Sequence, residues 1–410
     1  MSLEIRLSLV GVGMLEVTLH LMLHILKGRW MKRLLKTLCV AAALSLTPLL
    51  ASDGYKNNDI LISAEEAVKL IGDPKVMFVS GDSEDVYKLG HIKGSVSMYA
   101  HHLHHSDITG DMHCAPLYRC IDDAEQYIGS KGISNDMMII AYDDFKGPNA
   151  TGVYSFFKSY GHKNVKVLNG GRTAIMEIDP VQKKYDAIKA ELKAEKKIDK
   201  KARKKLKNAK KGKIKLSDAE KAELEAVRKA SKAKQKKITK RLKATEKDLL
   251  VVKGEEDVKA KTYKIAKNDI DFSAIAGKEE VKHAMEDILK NGDKSKYVII
   301  DSRSMIEIIG ERKMDNVARG GHVPGAKFIE WKKISDLDNK RSFRSAEALK
   351  KVYKHYGITP DKTVYAYCQV GAGRGSEHIT ALQLLGYKNV KVFTGSWDVW
   401  GNDMNLPIKR

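Results

Sequence analysis

Cysteine is scarce in this chain: 410 residues contain four, Cys39, Cys114, Cys120 and Cys368. No haem-attachment signature surrounds them, and their spacing matches no common zinc pattern. Acidic side chains are in deficit, 52 against 74 Lys and Arg, which leaves a formal net charge of +22. Aromatics amount to 7% overall and fall to Tyr185 alone between residues 181 and 250, where positive charge is densest. A basic stretch without interleaved rings lacks the stacking platforms that single-stranded nucleic acid requires, so nucleic acid is not an expected partner. What is present suffices for globular cores: 43% of residues are apolar, and the length predicts two or three domains.

Residues 1–52 stand apart. Lys32, Arg33 and Lys36 precede an apolar run over 37–50, and Ala51 and Ser52 follow it. That order of charged, apolar and small residues is that of a secretory signal. It predicts an exported, periplasmic protein with its true start at Met31. Cys39 has no small residue directly before it, so a lipid-modified start is not expected. A rival membrane segment over 7–26 carries Glu16, His20 and His24, each costly in a bilayer.

Residues 53–180 and 262–410 read as two copies of one unit. The separation from Tyr142 to Gly161 equals that from Tyr367 to Gly386. His162-Lys-Asn-Val-Lys-Val167 mirrors Tyr387-Lys-Asn-Val-Lys-Val392, and Gly90-His-Ile-Lys-Gly-Ser95 mirrors Gly321-His-Val-Pro-Gly-Ala326. A repeat at this scale outweighs any local signal. Apolar runs alternate with helical segments, which predicts an α/β fold: two open parallel sheets with helices on both faces. In the second copy a helix is expected over 278–289 and a core strand over 297–300, ending at Asp301.

The chemistry concentrates after another strand, predicted over 363–367. Cys368 follows it, then Gln369, Val370, Gly371, Ala372, Gly373, Arg374 and Gly375, then a helix over 377–385. Glycines let backbone N–H groups turn inward, and a helix N-terminus adds positive potential, so this is where a thiolate is easily stabilised. Cys368 is the candidate nucleophile and the loop the candidate anion cradle.

Asp301-Ser-Arg303, Gly321–Ala326, the Cys368 loop and Gly395-Ser-Trp-Asp-Val-Trp400 occur in that order. Together they resemble the catalytic domain of the rhodanese family, and the Gly-Ser-Trp ending is similar to that of two-domain thiosulfate and mercaptopyruvate sulfurtransferases. The resemblance implies two-step covalent catalysis. Cys368 takes a sulfur atom from a thiosulfate-like anion, and the resulting persulfide yields it to a thiol or protein acceptor. It implies no metal and no organic cofactor. Arg303 and Arg319 are candidates for binding the donor. In the first copy Asp143 falls on the position of Cys368, and Lys146-Gly-Pro-Asn149 on that of Gly371–Arg374. A carboxylate cannot carry a sulfane sulfur, so the first copy is expected to be a silent scaffold.

Two departures from the family pattern qualify the substrate. The loop begins Cys-Gln-Val-Gly, where thiosulfate enzymes have Cys-Arg-Lys-Gly and mercaptopyruvate enzymes Cys-Gly-Ser-Gly. Glu307 stands near the place of an anion-binding arginine. The Cys-x5-Arg spacing resembles that of rhodanese-like phosphatases and arsenate reductases, so an oxyanion enzyme is the alternative, with a non-turnover sulfur carrier as a third reading.

His101, His102, His104, His105 and His113 crowd one segment with Cys114 and Cys120. Exposed histidines on a long loop are expected rather than a metal site. A Cys114–Cys120 disulfide and two free thiols are both compatible with the sequence. Residues 181–250 hold 27 Lys and Arg against 10 Asp and Glu, a net +17. Ala, Lys, Glu and Leu favour helix there, Gly212 interrupts it, and Ser217-Asp-Ala-Glu220 is a capping box. The expectation for 181–261 is an inserted basic helical hairpin, coiled-coil-like, available to an acidic partner or an anionic membrane surface.

Overall fold

The computed structural model describes residues 54–104, 117–145 and 148–410, the side chain of Tyr118 excepted. The signal-like segment, Cys39, Cys114, His105, His113, Lys146 and Gly147 therefore lie outside the described residues. The strands are β1 (Leu61–Ile62), β2 (Val76–Ser80), β3 (His91–Ile92), β4 (Val96–Ser97), β5 (Met138–Tyr142), β6 (Val165–Leu168), β7 (Val251–Val252), β8 (Ile275–Ala276), β9 (Tyr297–Asp301), β10 (Lys327–Phe328), β11 (Thr363–Tyr367) and β12 (Val390–Phe393). Ten of them form two parallel sheets, ordered β1-β6-β5-β2-β4 and β8-β12-β11-β9-β10. The two orders correspond position for position, so β11 occupies in the second sheet the central place of β5 in the first.

Central parallel strands must bury both faces, which is why they read as unbroken apolar runs. Ile299, Tyr365 and Tyr367 face Trp397, Trp400 and Met285, the last on the helix Lys278–Asn291. Val298, Ile300, Val364 and Ala366 face the other way, towards Ile379 and Leu382 of the helix Arg374–Leu384. That second cluster continues into the first domain through Val153, Phe156 and Phe157 of the helix Ala150–Ser159. The contact is close because Gly152 has no side chain. A Cβ there would lie 2.9 Å from Ala100 Cβ and 3.1 Å from Ala372 Cβ. The domain interface is thus apolar core, and it runs beside the Cys368 loop.

The hairpin consists of the helices Pro180–Lys210 and Asp218–Glu246. Asp179 caps the first by accepting from Val181 N–H, and Ser217 and Glu220 form the capping box of the second. The helices are antiparallel, joined by Glu191–Arg241 and Asp199–Arg228 ion pairs. Their apolar seam is thin: Ile188, Leu192 and Ile238, with Leu242 against them. Beyond the hairpin the sequence-based boundary is corrected. β7 pairs antiparallel with β3, and the chain then runs along the first domain instead of opening the second at residue 262. Lys261 N–H donates to Gly129 O, Tyr263 Oη meets His162 Nδ1 at 2.8 Å, and Asp271 N–H donates to Ser159 O. An irregular segment must satisfy its backbone groups, and this one uses the first domain's turns. Among the described residues no helix is long and apolar enough to cross a membrane.

Candidate active site

β11 delivers Cys368 to the C-terminal edge of the sheet. Its N–H donates to Ser396 Oγ at 3.1 Å. The next three carbonyls are taken by the start of the helix Ser396–Asn402: Trp397 N–H donates to Cys368 O, Asp398 N–H to Gln369 O, and Gly395 N–H to Val370 O, at 3.2, 2.9 and 3.2 Å. In a trans peptide the carbonyl and the following N–H point in opposite directions. Holding these carbonyls on one side therefore turns the N–H groups of residues 369–371 to the other. Gly371 N–H reaches Cys368 Sγ at 3.3 Å, and Sγ in turn donates to Ala372 O at 3.3 Å. This gives the Gly-Ser-Trp motif a physical role: it orients the cradle from below.

The helix after the loop starts at Arg374, not at 377, with Gly373 as its N-cap. Gly371 has φ +99°, and a Cβ there would lie 2.8 Å from Phe393 O. Gly371→Ala is expected to cost roughly 1–3 kcal/mol through backbone strain and to move the one N–H that meets the sulfur. The check is the rate of Cys368 alkylation at one fixed pH beside a urea denaturation of the same sample; both reactivity and stability should fall in the variant.

Cys368 lines a cavity of about 220 Å3. The second domain contributes Gln369, Val370, Ala372, Arg374 and Trp331, and the first contributes His101, Pro148 and Asn149. Arg374 is not free to clasp an anion with its whole fork. Its two terminal nitrogens bond Glu307 at 2.9 and 3.1 Å. Burial works to raise the Glu307 pKa, but Arg374 and Ser304 hold it at about 2, so the pair is ionic. The Gln369 amide donates to Asp398.

The structure does not bring Arg303 or Arg319 to this cavity, which corrects both assignments. Arg303 is 1% exposed and pairs with the buried Asp301 at 2.7 Å, donates to Gly321 O and stacks on Trp397. Arg319 caps the carbonyls of Trp400, Gly401, Asp403 and Leu406 at the end of the last helix. Sequence order placed them near the site; desolvation and orphan carbonyls took their charges.

In the first domain the Asp143 carboxylate fills the place of the thiol, accepting from Phe145 and Ala150 N–H at 3.0 and 2.9 Å. It cannot carry sulfur, yet its domain walls the cavity, so scaffold alone is too little to say. Nor are the histidines simply exposed: His104 is fully buried against Gly152 O, and His101 lines the cavity. Among the described residues no cluster of three metal-ligating side chains occurs. Cys120 is disulfide-bonded. The first domain's cavity residues were not found from sequence. Only the alignment of Asn149 with Arg374 hinted at them.

Asp82 is buried beside Asp143, with Oδ1 bonded to Asn149 and Oδ2 without a partner among the described residues. Burial first, then the Asp143 charge, pushes its pKa up to about 8. A raised carboxyl pKa means the native state binds a proton that the unfolded chain has released. Stability from this group is therefore full below the ordinary carboxylate range and falls as pH climbs towards 8. Asp82→Asn should flatten that decline, gaining roughly 1–3 kcal/mol at high pH because the amide cannot ionise in the buried site beside Asp143. Urea denaturation at pH 5 and pH 8.5 measures it.

With this geometry in place, the family follows from comparison. The model of the rhodanese-like domain matches residues 63–177 and again 284–403. The chain belongs to the rhodanese family. As a tandem rhodanese it aligns with a protein of Mycolicibacterium smegmatis provisionally named a thiosulfate sulfurtransferase, 27% identical over 86% of this chain and 98% of the relative. It aligns equally with the sulfur carrier protein TtuD of Thermus thermophilus, 26% identical over 87% and 99%. Among solved structures it shares its fold with the anaerobic ergothioneine biosynthesis enzyme of Chlorobium limicola bound to trimethyl histidine (TM-score 0.56, 19% identity, 87% of this chain and 71% of that one).

Proposed function

We propose that this rhodanese is a sulfurtransferase with Cys368 as its nucleophile. The thiolate attacks the outer sulfur of thiosulfate or a similar donor. The S–S bond breaks, sulfite leaves with the bonding pair, and a Cys368 persulfide anion remains. An acceptor thiolate then attacks the outer sulfur of that persulfide and regenerates the Cys368 thiolate. Charge and sulfur balance at each step, and no external oxidant enters. The observation that carries the reading is the position of Sγ: on a cavity, beneath Gly371 N–H, at the start of the helix Arg374–Leu384. A backbone N–H and a helix N-terminus at that sulfur stabilise negative charge on it during transfer.

The Glu307–Arg374 pair weighs against the phosphatase or arsenate reductase alternative. An oxyanion enzyme needs its loop guanidinium for the substrate, and here both terminal nitrogens are held by a carboxylate. The likeness to TtuD supports a second reading, a carrier that holds sulfur without rapid turnover. Steady-state kinetics with thiosulfate and a thiol acceptor test the choice. Parallel double-reciprocal lines are expected. Persulfide formation without turnover supports the carrier, and aryl phosphate hydrolysis without persulfide refutes both sulfur readings. The signal-like residues 31–52 support an extracytoplasmic setting, and the +17 hairpin supports contact with an acidic acceptor or an anionic lipid surface.

A further inference from the structure

We propose that His101, supplied by the first domain, binds the oxyanion end of the sulfur donor in the second domain's cavity; the proposal rests on the sulfur-transfer reading above. A thiosulfate-like donor presents terminal oxygens that need hydrogen-bond donors once its outer sulfur lies against Cys368. The side-chain donors that the family resemblance offers are partly engaged or lie elsewhere, which leaves the backbone N–H groups of the loop to meet the outer sulfur. Arg374 is forked onto Glu307, the Gln369 amide is held by Asp398, and Arg303 and Arg319 lie elsewhere. Asn149, also in the lining, gives one amide hydrogen to Asp82.

His101 remains. It lines the same cavity as Cys368 and Arg374. Its Nδ1 lies 2.8 Å from Tyr99 Oη, and the two rings lie with centroids 4.7 Å apart. The proposed binding mode has Tyr99 as the donor to Nδ1; in that tautomer the hydrogen of the neutral ring sits on Nε2, which has no protein partner among the described residues. The groups that face it are Arg374 from the helix Arg374–Leu384, Asp398 from the helix Ser396–Asn402, and His102 and His104 from its own helix. Burial first, then Arg374, lowers its pKa to about 4. The ring thus stays neutral where thiosulfate is stable, and in the Nε2–H tautomer it donates to the anion without carrying charge. The first domain thereby keeps a part in the reaction although Asp143 has replaced its thiol.

The test compares full-length wild type with His101→Phe, His101→Ala and His101→Gln. Thiosulfate KM and kcat are measured from pH 5 to 8, together with the protection of Cys368 from iodoacetamide by sulfite. Loss of a hydrogen bond to an anion should raise the thiosulfate KM about tenfold in the Phe and Ala variants. Their kcat should change less, and sulfite protection should weaken in parallel. Gln, which can place an N–H near the position of Nε2, should recover part of both. The wild-type KM should not titrate between pH 5 and 8. Folded Phe and Ala variants with wild-type KM and protection would overturn the proposal. So would a wild-type KM that falls as pH drops through the ordinary histidine range. If wild type itself takes no sulfur from thiosulfate, it is the sulfur-transfer reading that has failed, and the alkylation arm still reports whether His101 binds the anion.

Discussion

Cys368→Ser is expected to remove sulfur transfer by several orders of magnitude while leaving the fold intact. The loss should be that large because covalent catalysis has no second route here. A serine oxygen is a far weaker nucleophile at neutral pH and forms no persulfide, and losing a covalent nucleophile is not made up by the rest of a site. The only other cysteine among the described residues is disulfide-bonded. The fold should survive because the change is nearly isosteric. A hydroxyl at the Sγ position can accept from Gly371 N–H and donate to Ala372 O, as the thiol does. Turnover with thiosulfate and a thiol acceptor, beside a thermal melt of the same sample, reads both halves. Transfer near the wild-type rate would remove Cys368 from the mechanism.

The second large effect is on stability. Asp301 and Arg303 are 0% and 1% exposed, and they bond to each other through two contacts at 3.0 and 2.7 Å. Asp301→Ala leaves the guanidinium buried and unpaired between Tyr367 and Trp397. Breaking such a pair from one side costs about 3–5 kcal/mol, whereas replacing both partners by apolar groups of similar volume is often close to neutral. Asp301→Leu with Arg303→Met should therefore be more stable than Asp301→Ala alone. That double variant also decides the role of Arg303. A structural arginine predicts an unchanged thiosulfate KM in the folded protein, and a donor-binding arginine predicts a rise. Urea denaturation and initial rates on the same preparations make the comparison.

Much of the architecture was legible because it rests on strong local signals. β11 was readable from an apolar run that stops at a cysteine, and the duplicated Lys-Asn-Val-Lys-Val segments showed that one sheet is built twice. Ser217, Glu220 and Gly212 marked the ends of the hairpin helices because capping and left-handed turns depend on few residue types. The start of the helix after Cys368 was misplaced by three residues. Gly373, Arg374 and Gly375 give a weak helical signal, and the turn is imposed by the tertiary packing of Gly371 against Phe393 O. The roles of Arg303 and Arg319 were misread because order along the chain does not report which buried carboxylate or helix end claims a charge. His101 and Asn149 escaped for a related reason. Periodicity describes one element's own face, while a cavity between two domains depends on how those faces meet. Residues 251–271 were assigned across a boundary because an irregular segment carries no periodic pattern to say which domain satisfies its backbone.

The most direct measurement is the mass of the peptide containing Cys368 after the wild-type protein has been treated with thiosulfate and the excess removed. A gain of one sulfur atom on that peptide, lost again on adding a thiol or cyanide, is the predicted result. An unchanged mass, under conditions where iodoacetamide still alkylates Cys368, would contradict it: the sulfur would then be reachable and reactive, yet unable to perform the step assigned to it.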